Sequence, residues 1–397
     1  MKVLLVNKFL YPKGGAETYV FGLGDILKEH GHEVQYFGLD NSKNIVGNDA
    51  NAYVTDMDFS EGIAKNLSAP FRIIYSGEAR RKIRKVLDDF KPDVVHLNNI
   101  QYHLTPSIIL EIHKWRTKHK RSCKIIYTAH DYQLVCPSHG MFDTDMKPCE
   151  KCLDGKYFHC VQTKCLKNSR LKSLLGTLDG YFWKHNKAYS CVDKYICCSE
   201  FLKNKLDAQE RFKSKTIALH NFKNIKLIDN VNKKRYVLEF GHLSKDKGTF
   251  TLLDAARHLL DIDFVFAGYG PAVDFMDGLP NVHYVGFKSG EELNRLIAEA
   301  YISVCPSEWY ENCPFSVIES IAFGTPVIGS NIGGIPELIV SGKTGELFEP
   351  GNSEQLKDKI SYLFFNDKIQ EYFDNCFYAE YETGESYYNK LIEIYRK

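Results

Sequence analysis

Short apolar runs alternate along the chain with stretches whose apolar positions recur at helical spacing. Residues 3–6 read as a first buried strand. The run Pro12-Lys13-Gly14-Gly15-Ala16-Glu17 follows, then a predicted helix over 18–30 that Gly31 ends. Further strands are predicted at 33–37, 94–97, 124–128, 194–198 and 217–219. After a polar, lysine-rich stretch at 223–234, read as a linker, the alternation resumes. Strands are predicted at 236–240, 264–267, 282–285, 301–306 and 326–329, with helices at 249–260, 291–300 and 316–323. A short amphipathic helix over 386–397 closes the chain. Alternation of this kind is the signature of doubly wound parallel sheets, here two of them.

In open α/β sheets ligands gather beyond the C-terminal ends of the strands. That rule selects the residues to watch. Gly14 and Gly15 follow the first strand and let backbone come close to a ligand, although the run is not the G-x-G-x-x-G of a dinucleotide site. Asn98 and Asn99 follow the strand at 94–97, and Ala129-His130-Asp131 follows the strand at 124–128. His130 is a candidate sugar contact, or alternatively a core histidine held by Asp131. In the second half, Gly241-His242-Leu243-Ser244-Lys245-Asp246-Lys247-Gly248 follows a strand, and Lys247 in this glycine-bounded loop suits a phosphate. Gly268-Tyr269-Gly270 and Asn331-Ile332-Gly333-Gly334 are further strand-end turns.

The most informative stretch is Glu311-Asn312-Cys313-Pro314-Phe315-Ser316-Val317-Ile318-Glu319. Pro306 ends the strand before it, and Gly324-Thr325-Pro326 ends the helix after it. Glu311 is expected in the loop before the helix N-terminus and Glu319 about one turn inside. Free N–H groups and the helix dipole at such a terminus favour an anion such as a diphosphate. A carboxylate on each side can hold neutral sugar hydroxyls.

Composition narrows the class. With 397 residues, 44% hydrophobic and 25% charged, the chain is expected to be a soluble protein of two or more domains. A net charge of +1 offers no general attraction to nucleic acid. No apolar run is long enough to span a bilayer, and the first residues lack the form of a signal peptide. The expected location is the cytoplasm, where the 12 cysteines are thiols or metal ligands rather than disulfides.

As a set, Gly241 with Lys247-Gly248, Glu311 with Glu319, Gly324-Thr325-Pro326-Val327-Ile328 and Gly333-Gly334-Ile335-Pro336-Glu337 resemble the retaining glycosyltransferases of family 4. Gly14-Gly15-Ala16-Glu17 and Thr128-Ala129-His130-Asp131 resemble the N-terminal motifs of the same family. The resemblance covers nearly the whole chain in order. It implies an α/β GT-B fold, in which two Rossmann-like doubly wound domains face a central cleft. The acceptor-side domain would span 1–222 and be joined by a C-terminal helix at 380–397; the donor-binding domain would span 223–379. It implies transfer of a sugar from a UDP- or GDP-sugar to a saccharide or lipid-linked saccharide in cell-surface polysaccharide synthesis.

The resemblance also implies roles. Glu319 would hold ribose hydroxyls, and Glu311 would contact the donor sugar near the reacting carbon. Backbone at Pro314, Phe315 and Ser316 would bind the diphosphate, and Lys247 would neutralise it as it leaves. His130 would contact the donor sugar, with Gly14 and Gly15 bordering diphosphate and acceptor. No metal would be required for the transfer. One position departs from the family: His242 stands where an arginine usually accompanies the lysine, and an imidazole is a weaker phosphate ligand. That departure keeps a nucleotide-sugar-binding pseudoenzyme open as an alternative, beside a nucleotide-sugar epimerase on the same fold.

Two features lie outside these motifs. An insertion at about 136–168 carries Cys149-x2-Cys152-x7-Cys160-x4-Cys165, with spacing similar to a structural four-cysteine zinc site, or else a metal-free cysteine-rich loop. After it, Leu171, Leu174, Leu175, Leu178 and Phe182 fall at helical spacing among Lys167, Arg170, Lys172 and Lys184. Such a stripe usually packs on its own domain. A peripheral seat on the inner face of the cytoplasmic membrane is the alternative, which the basic tract at 113–124 would support.

Overall fold

The computed structural model describes every residue except 57–68, 227, 229 and 230. The chain divides into two compact units. The first comprises Met1–Asp145, Cys149–His220 and Gly384–Lys397; the second comprises Met146–Pro148 and Asn221–Thr383.

In the first unit, strand β1 (Lys2–Val6) leads to helix α1 (Gly15–Glu29) and strand β2 (Glu33–Phe37). Strands β3 (Val94–Leu97), β4 (Lys124–Ala129), β5 (Lys194–Cys197) and β6 (Thr216–Ala218) follow. They form one parallel sheet in the order β2-β1-β3-β4-β5-β6. Val3, Leu4, Leu5 and Val6 are all fully buried, as expected of a strand covered on both faces. A two-residue pair, Leu39–Asp40 with Val54–Thr55, stands apart from this sheet.

Helix α2 (Arg170–Asn186) is capped by Ser169, whose side chain accepts from the Lys172 amide. The leucine stripe was expected to pack on its own domain. It does so only in part: Leu175 is half-buried and Phe182 meets Tyr75 and Trp183, but Leu171, Leu174 and Leu178 are exposed, and the buried positions are Ser173, Gly176, Thr177 and Trp183. Part of the basic tract is engaged within the unit, while His113, Lys114, Lys118 and Lys120 are exposed. Arg116 pairs with Asp193 at 2.6 Å, Arg121 lies 3.9 Å from Asp93, and Lys124 donates to the Lys397 carbonyl. Asp93, Lys124 and Asp193 lie at the N-terminal ends of β3, β4 and β5, so Arg116, Arg121 and Lys124 brace that edge of the sheet.

The second unit has strands β7 (Lys234–His242), β8 (Asp263–Tyr269), β9 (Val282–Tyr284), β10 (Ala300–Cys305), β11 (Val327–Ser330) and β12 (Gly345–Phe348). Their order is β9-β8-β7-β10-β11-β12, again parallel. Helix α3 (Thr249–Arg257) follows β7, and helix α4 (Phe315–Ala322) follows β10. The core includes Val237, Phe264, Phe266, Ile302 and Ile328 from the strands, with Leu252 and Leu356 from covering helices. Strand order reverses between β7 and β10, and this switch point is where an open sheet presents a crevice.

Helix α5 (Gly384–Arg396) returns to the first unit. Its Tyr387 hydroxyl lies 2.6 Å from that of Tyr19, and its Tyr395 hydroxyl lies 2.6 Å from His96 Nδ1. His96 Nε2 in turn meets Thr128 Oγ1 at 2.7 Å. Both ends of the chain therefore share one buried polar network, whose groups satisfy one another away from water.

Candidate functional site

The loops after β7 and β10 meet at the switch point of the second unit. Gly248 sits at φ +76°, and a Cβ there would overlap the Pro306 carbonyl, so a side chain would drive the two loops apart. The Glu308 amide donates to the Asp246 carbonyl at 3.0 Å. This seam brings Lys247 onto Glu311, and the two form an ion pair. The Glu311 oxygen that takes Lys247 also accepts from Trp309 Nε1 at 2.7 Å and from Ser307 Oγ at 2.9 Å. Lys247 Nζ lies over the Trp309 ring, 4.6 Å from its centroid.

Burial alone would push the Glu311 carboxyl up and the Lys247 ammonium down. Their mutual charge and hydrogen bond, with the Trp309 and Ser307 donors, outweigh it. Glu311 is held below its ordinary value and Lys247 above it, so both stay ionised. The main chain of Glu311 is fixed as well. Its carbonyl accepts from the Gly334 amide at 2.7 Å, and Gly333 beside it has φ +62°, where a Cβ would overlap that same carbonyl.

Helix α4 begins immediately after this loop. Pro314 is its N-cap, and no side chain caps it. The amides of Phe315 and Ser316 therefore point out of the helix start with no intrahelical carbonyl to reach. Glu319, one turn in, is largely buried and pairs with Lys223 at 2.7 Å. Asn221 joins in: its amide donates to Cys313 Sγ at 3.3 Å, and its side chain to the Cys313 carbonyl at 3.1 Å. The second unit thus gathers Lys247, Glu311, Pro314, Phe315, Ser316 and Glu319. His242 is exposed at the end of β7, where its ring meets Tyr269, and Tyr269 meets Phe287. Exposed rings in this position can stack on a planar heterocycle.

Four residues near this site escaped sequence reasoning. Trp309 and Ser307 converge on Glu311 along an irregular loop. Lys223 comes from the stretch read as a linker. Glu239, inside β7, is buried; its Oε1 accepts from Thr249 Oγ1 at 2.8 Å while Oε2 has no partner. Burial pushes its carboxyl up to about 8. A charged residue among the apolar positions of a strand was the available signal.

In the first unit, α1 starts at Gly15, three residues before the predicted Thr18, so Gly14 is its N-cap. A Cβ on Gly14 would meet only Glu17, at an ordinary 3.7 Å, so the protein itself does not require glycine there. Glu17 is buried and accepts from Asn7 at 2.9 Å. His130 is held by Asn98, with Nε2 2.9 Å from Oδ1, and its ring meets Tyr19 edge-on at 4.9 Å. Asp131 pairs with His139, so the hydrogen bond at His130 Nε2 goes to Asn98. Burial pulls His130 down to about 4, leaving a neutral imidazole near pH 7.

The cysteines of the insertion lie near one another, with Cys152 in electrostatic reach of Cys136, Cys165 and Cys149. Among the described residues, no group of three or more His, Cys, Asp or Glu side chains is placed to hold a metal ion. Cys152 and Cys160 are buried around Tyr157 in a small apolar cluster, with Cys165 and Leu166 against it. Cys160 and Cys165 approach each other sulfur to sulfur, at 2.6 Å. This contact pulls the Cys165 thiol down and pushes the Cys160 thiol up. Cys149 is only half-buried, its amide tied to the Met141 carbonyl.

Comparison with known proteins agrees with this architecture. Residues 13–224 match the model of Glycosyltransferase Family 4, and residues 221–377 match that of glycosyl transferases group 1. An uncharacterized glycosyltransferase of Methanocaldococcus jannaschii, MJ1178, is 30% identical over 48% of this chain and 54% of its own length. The chain thus spans about half of that relative. An uncharacterized 42.6 kDa protein in the cps region of Klebsiella pneumoniae is 24% identical, over 85% of this chain and 87% of its own. Among solved structures, Anabaena Alr3699/HepE in complex with UDP superposes with a TM-score of 0.66 at 16% identity, covering 99% of each chain. TarM superposes with 0.68 at 13% identity, covering 100% and 99%. The fold is GT-B.

Proposed function

Because the chain belongs to Glycosyltransferase Family 4, we propose that it moves a sugar, with retention, from a UDP- or GDP-sugar to a saccharide or lipid-linked saccharide acceptor. The setting we infer is cell-surface polysaccharide assembly in the cytoplasm or at the inner face of its membrane. One observation carries the reading: Lys247 and Glu311 are joined at a strand-order switch point, beside an uncapped helix start with Glu319 one turn inside.

The donor diphosphate would lie at the amides of Phe315 and Ser316, where the helix dipole favours negative charge. Lys247 would turn from Glu311 toward the phosphate and stabilise the charge that grows as the glycosyl bond breaks, the main electrostatic demand of the step. Glu311 would keep its place through Trp309 and Ser307, and its carboxylate would accept from sugar hydroxyls. Glu319 would accept from the ribose. His242, Tyr269 and Phe287 offer stacking surface for the base. In the first unit, the neutral His130 imidazole suits a sugar hydroxyl, and the open space over Gly14 suits a close ligand. This reading gives the charge-balancing role to Lys247 and calls for no metal.

The solved Anabaena relatives with UDP and with UDP-glucose support a nucleotide-sugar donor and put UDP first in the order of trial. The Klebsiella relative in the cps region supports the polysaccharide setting. The test is a thermal-shift screen with UDP, GDP and their sugar conjugates. A ligand of the folded state at about 100 times its Kd adds roughly 2.7 kcal/mol, a shift of several degrees. Stabilisation by one nucleotide family, lost in Glu319→Ala, supports the donor site. A folded protein indifferent to all of them counts against it.

A further inference from the structure

Helix α2 is turned inside out relative to an ordinary surface helix. The face it presents to the first unit is small and polar. Ser173 Oγ accepts from the Leu166 amide at 3.1 Å, and Thr177 Oγ1 donates to the Tyr157 carbonyl at 2.9 Å. Gly176 and Gly180 lie between them. A Cβ on Gly176 would overlap Leu166, and one on Gly180 would come within 2.8 Å of Tyr157. Near the far end, Trp183 is buried and donates to the Ile74 carbonyl at 3.1 Å. These close contacts fix the rotation of the helix, so its leucines cannot roll inward.

What faces outward is apolar. Leu171 is 61% exposed, Leu174 43% and Leu178 48%, with Tyr181 and Phe182 exposed at the C-terminal end. Positions i, i+3, i+7, i+10 and i+11 form one stripe along a helix. A contiguous apolar stripe on a monomer's surface marks a place of contact. Its surroundings say with what. Lys167, Arg170 and Lys172 lie at one end and Lys187 at the other, Lys184 being turned to the Gly155 carbonyl at 3.1 Å, while the single acid of the helix, Asp179, lines a pocket with Tyr102 and Arg211. Arg170 and Lys172 fall on opposite flanks of the stripe at 100° per residue.

We propose that the outward face of α2 is a docking surface for an anionic lipid bilayer. Its leucines and aromatic rings enter the boundary between headgroups and acyl chains, and its lysines and arginine meet lipid phosphates. A second copy of the chain is a poorer occupant, since two such faces would set like charges against each other. Lipid contact deepens the proposed use of a lipid-linked acceptor, yet vesicle binding stands or falls without it.

The test is co-sedimentation of the full chain with vesicles of phosphatidylcholine alone and with about 30% phosphatidylglycerol, at low and high salt. Anionic vesicles should bind the protein at least about tenfold better. Leu174→Glu with Leu178→Glu should abolish binding, and Arg170→Glu with Lys172→Glu should remove the preference for the anionic vesicles. All four positions are exposed, so thermal melting should be nearly unchanged. Failure of the wild-type chain to bind anionic vesicles overturns the proposal, as does equal binding by the Leu174/Leu178 variant. Self-association through the same leucines without vesicle binding also overturns it. Nucleotide stabilisation is read on the same preparations: vesicle binding without it sinks the donor reading and leaves this one standing.

Discussion

Lys247 and Glu311, 64 residues apart, form an ion pair in which one carboxylate oxygen takes the ammonium, the Trp309 indole and the Ser307 hydroxyl. The pair joins the two loops at the switch point of the second sheet. In the proposed transfer, its ammonium is the cation that would meet the departing diphosphate.

Removing one partner of this pair should therefore cost both stability and transfer. Lys247→Met leaves a largely buried carboxylate without its cation, a loss of about 3 kcal/mol. Adding Glu311→Gln should recover most of that stability and none of the transfer. Denaturant unfolding of the two single variants and the double variant measures the coupling directly. Additive losses would show that the two side chains act independently.

Two buried glutamates should bend the pH dependence of stability in opposite directions. Glu311 is held below its ordinary value of 4.5, so its contribution is present above that pH and is lost as pH falls through the folded value. Glu239 is raised to about 8, so the folded state keeps a proton that the unfolded state releases. Its contribution is full below about 4.5 and falls as pH rises from there to about 8. Glu239→Gln should flatten that alkaline loss and raise the melting temperature at pH 8 relative to wild type. Melting curves from pH 5 to 9 that coincide for the two proteins would remove Glu239 from the account.

Trp309 contributes a ring under Lys247 and an N–H to Glu311. Trp309→Phe keeps the first and deletes the second, with an expected loss of roughly 1.5–2 kcal/mol for a hydrogen bond to a charged group. Trp309→Leu removes both and should lose more. Equal stability of the two variants would show that the ring has no part in holding the ammonium.

Glycines at the two candidate sites should behave differently. Gly333→Ala places a Cβ against the Glu311 carbonyl at φ +62°, so folding should weaken by about 2 kcal/mol or more and nucleotide stabilisation should fall with it. Gly14→Ala meets no crowding within the protein, so melting should be nearly unchanged while transfer drops. A large melting shift for Gly14→Ala would assign that glycine to the fold.

The sequence made strands more legible than side-chain convergence. Residues 3–6 are read within a residue because a strand covered on both faces is apolar throughout; the edge strand 33–37 is matched too, although Glu33 is exposed and Gln35 half-buried there. The start of α1 is misread because glycine is a poor helix former, and its place at a helix entry is decided by context. Apolar spacing located the stripe of α2 but not its direction, since periodicity says which residues share a face and not which face is covered. Glu311, Glu319 and Lys247 were visible as chemistry at strand ends and a helix start, and the structure brings Lys247 onto Glu311. Trp309, Ser307 and Lys223 were not, because an irregular loop and an apparent linker carry no period from which to infer where a side chain points. Cysteine spacing likewise said nothing of Tyr157, around which two of the thiols are buried.

The central claim is that the second unit binds a nucleoside diphosphate at Lys247, the start of α4 and Glu319. Calorimetric titration of UDP and GDP into the wild-type chain, Lys247→Met and Glu319→Ala tests it most directly. The account predicts saturable binding of one nucleotide by the wild type, weakened at least about tenfold in each variant, in line with the loss of a charge-assisted contact. Binding of neither nucleotide, or binding that both variants leave unchanged, would contradict it.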